Sequence, residues 1–148
     1  MLVEETSNGC LALPSHASLR LWEDSLEALV DGRTRQGAAI SYSTKARLLA
    51  GDLLAYRQER QPLLAAFLLQ EDHAGKLSIR TLAGGARHMA WVKNSFLLDI
   101  GDRELLAQHF DWTHRIAEAV PTFTLDYPRD YGILAHVRDA VRKHVASI

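Results

Sequence analysis

The chain has 148 residues, enough for one ordinary domain to bury a core without disulfides or a structural metal. Hydrophobic residues make up 47% and charged residues 24%, which excludes a largely disordered chain. A formal net charge of −1 excludes a global basic field for nucleic acid or an anionic membrane. The single cysteine, Cys10, excludes an intrachain disulfide and a cysteine-based zinc site.

The opening MLVEETSNG carries two glutamates and no basic region ahead of an apolar run, so it does not read as a signal peptide. Residues 1–14 read as a flexible tail ending at Pro14. Leu19, Trp22, Leu26, Leu29 and Val30 recur at helical spacing, which predicts a helix over 18–32 with Ser18 as N-cap and Gly32 as stop. Residues 33–42 read as a connector. In STKARLLAGDLLAYRQERQ the expectation is a helix over 44–51 and then a strand over 52–58, one continuous helix being the alternative.

PLLAAFLLQ (62–70) and KLSIRTLAG (76–84) flank the turn-like EDHAG and read as strands of a hairpin. In the second, Leu77 and Ile79 point one way while Ser78 and Arg80 point the other. GGAR (84–87) reads as a turn and HMAWVKNSFLLDIG as a further strand. The expected architecture is a single α+β domain over 1–148, an antiparallel meander of about four to five strands packed against helices from both termini. This strand–turn–strand order resembles the first half of N-acetyltransferase domains. Those domains continue with an Arg/Gln-x-x-Gly-x-Gly/Ala loop that this chain lacks, so the resemblance extends to meander geometry alone.

Asp102 is placed to cap a helix over RELLAQHFDWTHRIAEAV that Pro121 stops. TFTLDY (122–127) alternates as a last strand would, at a sheet edge. Asp130 then caps YGILAHVRDAVRKHV, in which His144 falls on the apolar side near Val137 and Val141.

HFDWTH (109–114) gathers two histidines, an aspartate and a tryptophan. Five residues turn a helix by about 140°, so His109 and His114 do not share a face as zinc-binding i,i+3 or i,i+4 pairs do. Leu105, Leu106, Trp112, Ile116 and Val120 form the apolar face, with His109 near its middle. Asp111, His114 and Arg115 lie opposite, Asp111 pairing with Arg115. His109 reads as a satisfied core histidine. The catalytic alternative joins His109 and His88 with a carboxylate such as Asp99 around a cleft. No metal site and no cofactor is expected, and no Gly-x-Ser-x-Gly, His-Glu-x-x-His or phosphate loop is present.

For binding, the candidates are Trp91 and the basic residues Arg138, Arg142 and Lys143. Their plain reading is a solvated face completing the helix dipole. The functional expectation is a cytoplasmic, non-catalytic binding or regulatory protein, acting through another protein, a second copy of itself or a small ligand. A small enzyme with a histidine/carboxylate pocket and a nucleic-acid regulator using the last helix are the alternatives; no membrane partner is expected.

Overall fold

The computed structural model describes residues 2–30, 45–50, 55–70, 75–96, 99 and 101–148. In chain order the elements are β1 (Leu2–Thr6), β2 (Gly9–Leu13), β3 (Ser18–Leu21), α1 (Glu23–Leu29), β4 (Ala46–Leu49), β5 (Gln61–Pro62), β6 (Ala66–Leu69), β7 (Ser78–Thr81), α2 (Gly84–Asn94), α3 (Arg103–Ala119), β8 (Thr122–Asp126) and α4 (Leu134–Val145). A 3-10 turn at Tyr131–Ile133 leads into α4. Helices and mixed sheets together make the α+β class that the sequence predicts. By contacts the chain divides into two compact units, residues 1–2 with 13–60, and residues 3–12 with 61–148.

In the first unit β3 and β4 pair antiparallel, Leu19 opposite Leu48 and Arg20 opposite Arg47. Leu48 is fully buried. The helices expected over 18–32 and 44–51 are therefore corrected to strands at 18–21 and 46–49. Short apolar runs satisfy both the helical and the strand period, and the antiparallel partner settles the choice. Helix α1 starts only at Glu23, after Trp22 as N-cap with no side-chain cap bond. Glu23 and Asp24 in its first turn suit the positive end of the helix. Residues 55–58 form no strand. The connector 33–42, Gly32 and residues 51–54 lie outside the described residues.

The second unit begins where a tail was expected, with a β1–β2 ribbon. Thr6 Oγ1 donates to Gly9 O at 2.9 Å and accepts from Asn8 N at 3.3 Å, which tightens the turn. Gly9 has φ +120°, a conformation that a side chain would strain. Strand β2 also pairs antiparallel with β5, Leu11 opposite Pro62. Pro62 is tolerated because β5 ends that sheet.

Cys10 on β2 is buried with Ile116 and Val120 of the α3 end, and Val3, Leu63, Ala66, Trp91 and Trp112 pack around them. Burial, and secondarily the nearby Glu5 carboxylate, push the Cys10 thiol above its usual range. A thiol whose folded value is raised contributes stability below its unfolded pKa, and that stability is lost as pH rises through the folded value. We expect alkylation by a maleimide to be slow in the native chain and fast in urea. A Cys10→Ala variant should show a flatter stability profile at alkaline pH; equal alkylation rates in the two states would contradict this burial.

The other sheet of this unit has the order β6-β8-β7. Strand β8 runs parallel to β6 and antiparallel to β7. The 62–70 and 76–84 segments thus form no hairpin with each other, because β8 enters between them. Strand β8 is central, not the edge strand expected, and four of its five residues are buried. The EDHA part of the connector lies outside the described residues.

Residues 84–94 form helix α2, where a turn and a strand were expected. Half-buried His88, Trp91, Val92 and Ser95 recur at helical spacing and face inward. With φ +52°, Gly84 makes the entry into α2, a backbone that other residues rarely adopt. The strand–turn–strand likeness to N-acetyltransferase domains is not found here, because β8 lies between β6 and β7 and α2 follows β7.

Helix α3 begins as the sequence predicts: Asp102 Oδ1 accepts from Glu104 N at 2.9 Å and Leu105 N at 3.1 Å. Such a cap contributes about 1 kcal/mol. Arg87 of α2 and Glu118 of α3 pair at 2.5 Å. Asp130 accepts from Gly132 N at 2.8 Å and so caps the turn before α4. Opposite residues on neighbouring strands point to the same side of the sheet. One face of β6-β8-β7 therefore carries Phe67, Phe123, Leu125 and Ile79. Phe67 and Phe123 stack with centroids 5.3 Å apart, and His144 of α4 meets Phe123 edge-on at 4.5 Å.

Candidate functional site

The other face of that sheet carries Ala66 and Leu68 on β6, Thr122, Thr124 and Asp126 on β8, and Ser78 and Arg80 on β7. One end of it is packed. Trp91 Nε1 donates to Thr122 Oγ1 at 2.9 Å, and Thr122 Oγ1 donates to Val120 O at 2.9 Å. The other end is a groove of about 460 Å³ lined by Gln70, Ser78, Arg80, Leu82, Thr124 and Asp126. That volume suits a small ligand.

Asp126 distinguishes this groove. The residue is 9% exposed. Its Oδ1 is shielded from solvent and has no hydrogen-bond partner among the described residues. A buried polar group without a partner costs on the order of 1–3 kcal/mol, and more if charged. Strand register places the groove's chemistry: Ser78 lies opposite Asp126, and Arg80 opposite Thr124. Arg80 and Asp126 are thus diagonal neighbours, and among the described residues no ion pair joins them. The Arg129 guanidinium lies 4.4 Å from the Tyr127 ring centre and donates to Gln70 O, tying the end of β6 to the segment after β8.

The residues singled out from sequence take other places. His109 is half-buried on α3, its Nε2 2.9 Å from Ser95 Oγ. Ser95 Oγ also donates to Val92 O at 3.2 Å. A hydroxyl has one proton; spent on Val92 O, it leaves His109 as the donor, the reverse of a serine activated by a histidine base. His109 lines a second groove of about 500 Å³ with Leu105, Gln108, Asp111, Trp112 and Arg115, all from one helix.

His88 meets Phe110 and His114 rather than His109. Its Nε2 lies 3.1 Å from Phe110 O, which can only accept, so that nitrogen carries the proton. Its ring centre is 5.0 Å from that of His114. Asp99 Oδ1 accepts from Gly101 N at 2.8 Å, a local turn contact. The three members of the catalytic alternative are therefore engaged with different neighbours. Among the described residues no group of three or more His, Cys, Asp or Glu could hold a metal ion. Arg115 pairs with Glu5 at 2.9 Å instead of with Asp111.

Trp91 packs inside α2 against the sheet, as its bond to Thr122 requires. Arg138 pairs with Asp139 at 2.9 Å on the solvent side of α4. That hydrogen bond, ahead of the local charges, lowers the Asp139 pKa. Arg142 and Lys143 are exposed in the last turn of α4.

Asp126, Arg80, Ser78, Thr124 and Gln70 escaped the sequence reading. Both alternations were visible: Ser78 and Arg80 share a face, and so do Thr124 and Asp126. Adjacency of the two strands was not, because it joins segments more than 40 residues apart. No helix among the described residues is long and apolar enough to cross a membrane. No protein-family model, curated protein or solved structure matches the chain.

Proposed function

We propose that the chain is a non-catalytic binding protein whose small-ligand site is the polar groove on the β6-β8-β7 sheet. The observation that carries this reading is the buried Asp126 carboxyl oxygen, which has no donor among the described residues. Buried polar atoms in folded proteins are nearly always paired, so an orphan beside an open groove points to a group supplied from outside. Ser78, Arg80 and Thr124 around it add two hydroxyls and a guanidinium, enough to orient a ligand of a few heavy atoms.

The test is a titration of the ¹⁵N-labelled full chain with a library of small polar compounds. Amide shifts should concentrate at Ser78, Arg80, Thr124 and Asp126. If oligonucleotides instead move Arg138, Arg142 and Lys143 and no small compound moves the groove, the nucleic-acid reading replaces this one.

A further inference from the structure

We infer that the groove recognises a small zwitterion, with Asp126 receiving its ammonium group and Arg80 its carboxylate. This rests on the groove being a ligand site, and names the class of ligand. Four side chains stand at the corners of a rectangle on β7 and β8. Ser78 faces Asp126 across one rung, and Arg80 faces Thr124 across the next but one. The two charged residues occupy one diagonal and the two hydroxyls the other. Diagonal neighbours in an antiparallel pair stand about 7–8 Å apart, so a bridging molecule a few bonds long spans them.

The charges decide the class. A neutral hydroxyl would give Asp126 a hydrogen bond and leave its formal charge uncompensated in a desolvated place. An ammonium group does both, and charge-assisted bonds are about twice as strong as neutral ones. Arg80 is exposed, with a planar fork that suits a carboxylate. A dianion would meet Asp126 with repulsion, and a dication would meet Arg80 so. A ligand with one charge of each sign opposes neither. The Thr124 hydroxyl donates to Arg80 O at 3.5 Å and keeps lone pairs to accept from an ammonium group, and Ser78 stands at the remaining corner.

Three compounds of one length separate the contributions: 4-aminobutanoate, butylamine and butanoate, each titrated calorimetrically into the full chain. 4-Aminobutanoate should bind at least about tenfold more tightly than either half-molecule. Asp126→Asn should bring its affinity down to that of butanoate, and Arg80→Gln down to that of butylamine. Arg80→Gln changes an exposed residue and leaves the fold intact, which keeps the test valid if the Asp126 variant misfolds. Equal affinities for all three compounds, or a zwitterion affinity indifferent to both substitutions, overturns the charge assignment. So does a double-mutant cycle showing that Arg80 and Asp126 stabilise each other without ligand. If a neutral sugar such as glucose moves the groove amides and none of the three does, the zwitterion fails and the ligand site stands. If neither they nor any library compound moves those amides, both readings fall.

Discussion

Ile116→Ala lowers the unfolding free energy by about 2–5 kcal/mol. Ile116 is fully buried, and it joins Cys10 of β2 to Val120 at the end of α3. Ala66 of β6, Trp91 of α2 and Trp112 of α3 pack on the same cluster. Truncation therefore opens a cavity where β2 of the β1-β2-β5 sheet, two helices and the β6-β8-β7 sheet converge. Domains of this size hold only 5–15 kcal/mol in all, so the loss is a large share of the total. Urea unfolding followed by tryptophan fluorescence measures it. The control is Leu105→Ala on the same helix, 42% exposed, which should cost less than about 1 kcal/mol. Equal losses for the two variants would mean that Ile116 is not enclosed.

Asp126→Asn raises stability by about 1 kcal/mol while removing the proposed ligand anchor. The side chains are nearly isosteric, so packing is retained. What changes is the cost of holding an unpartnered, formally charged oxygen away from water. Functional sites often carry such a cost, and relieving it trades activity for stability. Urea midpoints of the two proteins at neutral pH, with unchanged slope, decide the sign. A loss of more than about 1 kcal/mol would show instead that the carboxyl group contributes a native contact that the amide cannot replace.

These residues show where sequence patterns sufficed. The starts of α3 and of the 3-10 turn that leads into α4 were legible, because a cap needs only a side chain within three residues of the amides it satisfies: Asp102 for Glu104 and Leu105, Asp130 for Gly132. The stop at Pro121 is equally local. Strand character at 66–69, 78–81 and 122–126 was legible from composition and alternation. The partners of the histidines were not legible. His109 finds Ser95 and His88 finds Phe110, both one helix away, and the spacing of histidines within α3 says nothing of either partner.

The amino-acid order by itself determined the α+β class, the caps and the two-faced character of TFTLD. All of these follow from interactions spanning a few residues. Tertiary structure alone decided three further things: that 88–94 is helix rather than strand, that 18–21 and 46–49 pair as strands, and that the last strand enters between two others. Each depends on which distant segment is available to cover an apolar face or to accept a backbone bond. The groove belongs to this second kind. Ser78 and Arg80 meet Thr124 and Asp126 only because β7 pairs with β8, and that pairing brings no donor to Asp126 Oδ1 among the described residues.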